Sequence, residues 1–255
     1  MKKIKKWVVT DCDGVYLGRT RERNGKHNNL HDYIALMEQF QRLERYGLVM
    51  LTDRGGAQLP PISFIFQGER FQGGESGAVA YDNHCHKVIK NPEFIETTYA
   101  IREIESEFRN EFKYFFPIEP GVYSSIRVER VDGRDLSLPF TWLSEVAKKS
   151  NGELICADHG DCVCLKSSRI EKGVGIKWLM ELYENAEIDV DFTNSIWIGD
   201  GKSDIPAAKF IHERGGRVAA VGNSNADYLK FIKSVGGYVA KNEHTAGMVE
   251  ILKTF

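Results

Sequence analysis

The apolar residues near the amino terminus form two short continuous runs on either side of a stretch with helical periodicity. Residues 4–10 and 48–51 predict strands. Between them, apolar residues recur every three or four positions, as a helix requires: Leu30, Ile34, Met37, Phe40 and Leu43. Continuous rather than alternating runs indicate strands that are covered on both faces. Strand, helix and strand with short connections are the beginning of a parallel, doubly wound sheet.

The same order of elements returns near the carboxyl terminus. The pattern predicts helices near 172–184 and 204–213, and strands at 195–198, 217–221 and 238–240. A further helix is expected before the last of these strands. We therefore predict an α/β domain whose parallel sheet is built from both ends of the chain.

The middle of the chain has a different pattern. It predicts helices from Pro92 to about Lys113 and near 140–149, and strands within 122–131, 153–157 and 161–165. Helices combined with one-sided strands indicate a small antiparallel α+β module inserted into the parallel domain. We place this inserted module at 84–166 and the α/β core at 1–83 and 167–255.

Composition and charge narrow the classes of partner and location. The chain has 255 residues, of which 42% are hydrophobic, and its formal charge is −2. A charge near zero gives no overall field to attract nucleic acid or an anionic membrane. No apolar run approaches the roughly 20 residues of a membrane span, and the start of the chain lacks the apolar segment of a signal peptide. We therefore expect a cytoplasmic protein with no nucleic-acid or membrane partner, as a monomer or a weak homodimer.

The cysteine and histidine residues do not predict a disulfide or zinc framework. Five cysteines without CxxC spacing fit buried thiols in a reducing compartment better than a disulfide framework. The run from His84 to His86 could suggest zinc. However, neighbours on an extended chain point to opposite faces, and no second pair lies at a zinc-finger interval.

Four polar segments fall at or near the carboxyl ends of predicted strands, where open parallel sheets bind ligands. They are 11–14 (DCDG), 52–56 (TDRGG), Lys172-Gly173 and 199–204 (GDGKSD). Together they contribute four aspartates to one edge of the sheet: Asp11, Asp13, Asp200 and Asp204. Crowded carboxylates repel one another unless a cation lies among them, and Mg²⁺ prefers carboxylates, waters and a substrate phosphate. The sequence therefore predicts a Mg²⁺ site here.

These residue types also suggest a chemistry. With its charge shielded by the metal, one carboxylate can attack phosphorus and carry a transient acyl phosphate. A nearby lysine and hydroxyl would stabilise the phosphoryl oxygens as charge moves. Each segment alone is weak, since acidic and glycine-rich turns are common after strands, but the ordered set of four is far more specific.

In order and spacing, the four segments resemble the motifs of the haloacid dehalogenase (HAD) superfamily. DCDG resembles its first motif, Thr52 its second, Lys172 its third and GDGKSD its fourth. The long insertion between the second and third motifs lies where the type-C2 cap of that superfamily lies. The chain is most similar to the Cof-type branch, with sucrose-phosphatase and mannosyl-3-phosphoglycerate-phosphatase. Three further stretches carry this similarity: GESGAVAYD at 74–82, EKGVGIKWL at 171–179 and VGNSNAD at 221–227.

The resemblance implies catalytic and substrate-binding roles. Asp11 would be the nucleophile, and Asp13 would protonate the leaving oxygen and then help to activate water. Thr52 and the backbone amide of Asp53 would hold the phosphoryl group. Arg54 would also bind substrate, and Lys172 would balance the charge of the phosphoryl group.

The resemblance also implies how Mg²⁺ would be held. The side chains of Asp11 and Asp200 and the backbone carbonyl of Asp13 would complete its shell. Asp204 would support it through water or hydrogen bonds. Two positions depart from the branch: Ser203 stands where asparagine is usual, and Asp53 adds a negative charge where glycine or serine is usual.

Two other stretches could contact substrate. Residues 18–27 (GRTRERNGKH) could form a basic flap over an anion, although a solvated loop is at least as compatible with this composition. In the inserted module, Tyr123, Arg127, Phe140 and Trp142 are candidate contacts, with ordinary packing as the default for the aromatic side chains.

The expected function is that of a Mg²⁺-dependent phosphatase that acts on a small phosphorylated metabolite, foremost a sugar phosphate, through a phosphoaspartyl intermediate. One alternative is a phosphomutase of the phosphomannomutase type, which returns the phosphoryl group to a sugar. A non-catalytic metabolite-binding protein is a second alternative. A receiver-type signalling domain is disfavoured, because here the DxD pair follows the first strand and an insertion interrupts the sheet.

Overall fold

The computed structural model describes residues 3–4, 6–17, 30–42, 46–66, 68–113, 115–131, 133–159 and 162–255. The strands of these residues are β1 (Lys3–Ile4), β2 (Lys6–Thr10), β3 (Tyr46–Met50), β4 (Phe71–Gly74), β5 (Val79–Asp82), β6 (Lys87–Lys90), β7 (Ser125–Glu129), β8 (Leu154–Asp158), β9 (Cys162–Ser167), β10 (Asp189–Val190), β11 (Ser195–Gly199), β12 (Arg217–Ala220) and β13 (Tyr238–Val239). The helices are α1 (Leu30–Arg42), α2 (Leu59–Ile65), α3 (Ile95–Phe112), α4 (Ser137–Lys149), α5 (Lys172–Asn185), α6 (Ile205–His212), α7 (Ala226–Ser234) and α8 (His244–Thr254). The suggested flap at 18–27 lies outside the described residues.

The central sheet has five parallel strands in the order β13-β12-β11-β2-β3. Successive side chains of a strand point to opposite faces. Trp7 and Val9 accordingly pack against one layer of helices, α5, α6 and α7, whereas Val8 packs against the other layer, formed by α1, α2 and α8. The prediction of a doubly wound α/β core is confirmed. Helices α2 and α8 were not predicted.

A three-stranded antiparallel sheet, β4-β5-β6, extends from the core and was also not predicted. Its strands are only four residues long, and β4 ends in Gly73-Gly74, so the apolar pattern is weak. Pairing of Val79–Asp82 with Lys87–Lys90 crosses residue 84, where the sequence analysis begins the inserted module. The exact limits of that module stay a prediction.

The inserted module contains a second antiparallel sheet, β7-β9-β8, with α3 and α4 on one face. Ile126, Val128, Val163 and Leu165 point into the apolar layer that these helices cover. The alternate residues of β7 and β9 therefore lie on the opposite face of the sheet. The prediction of an antiparallel α+β module is confirmed.

Glu75 joins the core to the inserted module. Its backbone adopts the left-handed region, with φ of 50°, and its carboxylate is buried. The carboxylate accepts hydrogen bonds from the amides of Tyr123 at 2.8 Å and Ser124 at 2.6 Å, and from the Ser124 hydroxyl. Because a buried carboxylate is costly without such donors, this contact fixes the start of β7 against the core.

Two expectations from composition can be compared with the fold. All five cysteines are free thiols. Cys12 and Cys164 are buried as expected, but the expectation of burial is wrong for Cys85, which is exposed, and Cys156 and Cys162 are only partly buried. Among the residues that the structure describes, no helix is both long enough and apolar enough to cross a membrane.

Candidate active site

Asp11 is held at the end of the central strand β2. Its amide donates to the carbonyl of Ile198 at 3.0 Å, which continues the pairing of β2 with β11 beyond the last strand residue. One carboxylate oxygen, Oδ1, accepts from the Cys12 amide at 2.7 Å, and the other, Oδ2, lies 2.7 Å from the ammonium of Lys172. The side chain is therefore buried, oriented and close to one positive charge.

Asp204 connects Lys172 to the loop after β11. Its Oδ1 lies 2.7 Å from Lys172 Nζ, and its Oδ2 accepts from the amides of Asp200 at 2.8 Å and Gly201 at 2.9 Å. Lys172 comes from the first turn of α5 and is itself buried. Both oxygens of Asp204 are thus used to position other groups, which suits the supporting role expected for it.

Three buried carboxylates converge at this edge of the sheet. One oxygen from each of Asp11, Asp200 and Asp204 lies within 4.8 Å of the other two. Burial raises the pKa of Asp11 well above its ordinary value, and the charges of Asp204 and Asp200 raise it further against the opposing effect of Lys172. The single charge of Lys172 does not neutralise three carboxylates. A hard divalent cation, which prefers oxygen ligands, would neutralise the remaining negative charge. The residues present fit Mg²⁺.

Gly14 permits the close approach of Asp200. Its φ is +81°, and a Cβ atom there would lie 2.1 Å from Asp200 Oδ2. The Gly14 carbonyl accepts from Asn223 Nδ2 at 2.8 Å, and Nδ1 of the buried His244 lies 3.0 Å from the same oxygen. Asn223 in turn accepts from the His244 amide at 2.7 Å. These two side chains fix the loop that contains Asp11 and Asp13.

Asp13 does not join the carboxylate cluster through its side chain. It forms a bidentate pair with Arg54, with distances of 2.6 Å to Nη2 and 2.9 Å to Nε. Paired forks of this kind are strong and directional. Arg54, expected to bind substrate, therefore holds the expected proton donor. The metal role expected for Asp13 involves its backbone carbonyl and not the carboxylate of this pair.

Thr52 and Asp53 lie in the loop after β3. The Thr52 amide donates to the Gly73 carbonyl at 3.1 Å, and its hydroxyl accepts from the Arg54 amide at 3.3 Å. The carboxylate of Asp53 accepts from the hydroxyl of Ser76, so it turns toward the GESG stretch and not toward Arg54. The loop is thereby fixed beside Lys172.

Asp53 stays charged despite its burial. Burial raises its pKa, but the charges of Lys172, Lys166 and Arg127 and the hydrogen bond from Ser76 outweigh it, and the net pKa is lowered. The additional negative charge noted in the sequence is therefore balanced by cations of both the core and the inserted module.

The remaining candidates occupy different places. Ser203 is exposed in the turn before α6. Trp142 packs edge-on against Phe108 inside the module, with ring centroids 5.5 Å apart, and Phe140 is partly exposed on the same helix, α4. Tyr123 meets the core at Gly56 and Glu75, and Arg127 donates to the backbone carbonyl of Asp53. Tyr123 and Arg127 therefore contact the core loops, whereas Trp142 packs within the module.

Sequence reasoning gave no role to four residues that position the site. Glu75 and Ser76 lie in the GESG stretch, Asn223 in the VGNSNAD stretch, and His244 at the start of α8. Both stretches are recognisable in the sequence, but the partners of these side chains are distant along the chain. His244, 230 residues from Gly14, carries no local signal at all.

Comparison with solved structures identifies the fold. A haloacid dehalogenase-like hydrolase from Bacteroides thetaiotaomicron superposes with a TM-score of 0.62 at 16% identity, over 98% of each chain. The fold is that of the HAD-like hydrolases. The sucrose-phosphatase of Synechocystis sp. PCC6803, solved with sucrose and phosphate, gives 0.60 at 15% identity over 98% of this chain and 97% of its own. A trehalose-6-phosphate phosphatase related protein gives 0.63 at 16% identity over 97% and 96%.

Sequence comparisons add nothing to this result. No protein-family model matches the chain, and no curated protein matches it. The HAD-like fold is therefore recognised through tertiary structure. Each superposition covers at least 96% of this chain and of the compared chain.

Proposed function

We propose that the protein is a Mg²⁺-dependent phosphatase that hydrolyses a small phosphorylated metabolite, foremost a sugar phosphate, through a phosphoaspartyl intermediate. The observation that carries the proposal is the environment of Asp11. Its carboxylate is held by the Cys12 amide and by Lys172, and it lies beside Asp200 and Asp204. The sugar-phosphate character is supported by the names of the two phosphatase neighbours, which concern sucrose and trehalose 6-phosphate.

In the first step a carboxylate oxygen of Asp11 attacks phosphorus, and the ester bond between phosphorus and the metabolite oxygen breaks. The leaving oxygen takes a proton from Asp13. Both carboxylate oxygens of Asp13 are engaged by Arg54 in the pair described above, so this step requires the pair to open as the phosphoryl group draws Arg54 away. Thr52 and the amide of Asp53 hold the phosphoryl oxygens, and Lys172 balances their charge.

In the second step water attacks the phosphorus of the acyl phosphate. Asp13 takes the proton of that water, and Asp11 leaves with the electron pair of the broken oxygen–phosphorus bond. Mg²⁺, when bound by Asp11, Asp200 and the Asp13 carbonyl, would supply shielding of the negative charge shared by nucleophile and phosphate. Asp204 would keep Lys172 and the Asp200 loop in place throughout.

The test is release of inorganic phosphate from an aryl phosphate with and without Mg²⁺. We expect Asp11→Asn to lower turnover by at least about 10⁴-fold, because removal of a covalent nucleophile leaves only binding and electrostatic effects. Asp227→Asn, at an exposed position of α7, is the matched control and should retain activity. Full activity of Asp11→Asn would exclude the nucleophile assignment.

The alternatives give different products. A phosphomutase would return the phosphoryl group to a sugar, so total organic phosphate would be conserved with a hexose 1-phosphate. A binding protein would retain the ligand at saturating Mg²⁺ without turnover. The cytoplasmic location, the lack of a nucleic-acid or membrane partner, and the monomeric or weakly dimeric state stay predictions.

A further inference from the structure

Two cations of the inserted module face the candidate active site. In β7 and β9, Ile126, Val128 and Leu165 point toward the helices of the module. The alternation of a strand therefore places Arg127 and Lys166 on the other face of that sheet. Arg127 pairs with Cys164 across the strands, and Lys166 with Ser125, so the two cations are diagonal neighbours on this face. The helices of the module do not cover this face of β7 and β9.

Contacts with Asp53 show that this face meets the core loop beside Lys172. Arg127 Nη2 donates to the Asp53 carbonyl. Lys166 is close enough for its charge to lower the pKa of the Asp53 carboxyl, as the charge of Lys172 in the core also does. The charge of Asp53 in turn helps to raise the pKa of Asp11, so the loop that Arg127 contacts lies near the proposed nucleophile.

The charges on this face are only partly compensated. Arg127 Nη1 lies 3.6 Å from Glu119 Oε2, and Nε of the same guanidinium is buried without a hydrogen-bond partner among the described residues. Lys166 is half-buried and, within the described part of the chain, forms no ion pair within 4.0 Å. A half-buried ammonium and an unused buried donor at one site are costly unless a ligand satisfies them.

Building on the proposed phosphatase function, we propose that Lys166, together with Arg127, recognises a carboxylate on the leaving group of the substrate. The preferred substrate class is then a phosphorylated hydroxy acid, such as a sugar acid phosphate, and not a neutral sugar phosphate. Glu119 and Asp53 already balance part of the positive charge. With so little net positive charge, this face suits one monoanionic carboxylate better than a second phosphate, which carries about two charges at neutral pH.

The experiment compares two substrates that differ only in this group: 3-phosphoglycerate, which has a carboxylate, and glycerol 3-phosphate, which has a hydroxymethyl group in its place. We expect a higher kcat/KM for 3-phosphoglycerate. Lys166→Met should lower the ratio of the two kcat/KM values about 10- to 100-fold, the range for one hydrogen bond to a charged group, chiefly through KM for the acid. Lys166→Arg should restore most of the ratio.

The control variant is Lys148→Met, which removes an exposed lysine from α4 on the other side of the module. It should leave the ratio unchanged. If Lys166→Met lowers kcat/KM equally for both substrates, Lys166 only positions the module against the core and the proposal is wrong. A second pair of substrates, fructose 1,6-bisphosphate and fructose 6-phosphate, tests whether the site prefers a second phosphate. The carboxylate assignment is wrong if their kcat/KM ratio depends on Lys166 and exceeds the ratio of 3-phosphoglycerate to glycerol 3-phosphate.

Failure of this inference can be told apart from failure of the phosphatase proposal. Hydrolysis of an aryl phosphate that depends on Asp11, with no preference for the acid over the alcohol, refutes only the carboxylate recognition. Absence of hydrolysis of the aryl phosphate and of both glycerol-based substrates refutes both.

Discussion

The substitution Gly14→Ala tests the metal site, because a matched control separates the strain of the backbone from the collision with Asp200. A Cβ atom at this position would lie 2.1 Å from Asp200 Oδ2 and 2.5 Å from its Cγ. Contacts of a real Cβ atom are essentially never shorter than 3.0 Å, so in Gly14→Ala the Asp200 carboxylate must retreat by about 0.9 Å. Mg²⁺ requires its oxygen ligands near 2.0–2.1 Å in almost ideal octahedral geometry, and it tolerates such a displacement poorly.

The expected magnitude follows from these distances. Loss of even an outer-shell partner of a metal site costs about 10- to 100-fold in affinity. Displacement of Asp200 itself should therefore weaken Mg²⁺ binding at least this much, which corresponds to about 1.4–2.8 kcal/mol. The left-handed φ of +81° adds a separate folding cost of about 1–2 kcal/mol for a residue with a side chain.

Gly152→Ala is the matched control. Its φ is +87°, but nothing lies within 4 Å of the added Cβ atom. Both variants should lose the folding stability that the left-handed backbone costs, whereas only Gly14→Ala should also lose Mg²⁺ affinity. Titration calorimetry with Mg²⁺ and the Mg²⁺ dependence of phosphate release measure the affinity, and thermal unfolding without metal measures the strain. Equal Mg²⁺ affinity in Gly14→Ala and Gly152→Ala would refute the placement of Asp200 in the metal shell.

Two further predictions concern charge. Lys172→Met should destabilise the metal-free protein by about 3–5 kcal/mol, because it leaves Asp11 and Asp204 buried without their cation. Urea unfolding should show a smaller loss of stability with saturating Mg²⁺. A loss that does not depend on Mg²⁺ would contradict the idea that Lys172 and the metal together balance these carboxylates. Glu250 accepts from Tyr238 and from the Lys241 amide, and its pKa is lowered to about 2, foremost by the hydrogen bond from Lys241. A lowered pKa gives stability that is complete above the unfolded value near 4.3 and is lost as the pH falls through about 2. The stability difference between the wild type and Glu250→Gln, measured by thermal unfolding, should thus shrink as the pH falls from about 5 to about 2. A difference that stays constant over that range would contradict the lowered pKa of Glu250.

The pair between Asp13 and Arg54 bears on how the two domains cooperate. Arg54 belongs to the same loop as Asp53, whose carbonyl receives Arg127 from the inserted module. A substrate that draws Arg54 from Asp13 therefore acts on the loop that contacts the module. In the proposed mechanism, binding of the phosphoryl group and release of the proton donor are parts of one rearrangement.

The sequence by itself determined the layers of the core and the convergence of its polar loops. Continuous apolar runs such as 195–198 require burial on both faces, and parallel strands bring their carboxyl ends to one edge. The sequence therefore predicts that Asp11, Asp200 and Lys172 lie close together. The resemblance to HAD motifs supplied their expected roles, which the structure is compatible with and does not test.

Tertiary structure alone decided which partner each charged group takes. Asp13 and Arg54 are 41 positions apart, and Glu75 lies 49 positions from Ser124, so no local pattern encodes either contact. The direction of Asp53 toward Ser76 depends on how two loops of the core meet, and the approach of Lys166 depends on how the module rests against the core. The spacing of apolar residues predicts which face of a helix or strand is buried, because that spacing is a local property of the sequence. The pairing of polar groups instead depends on distances in space between segments that are remote in the chain.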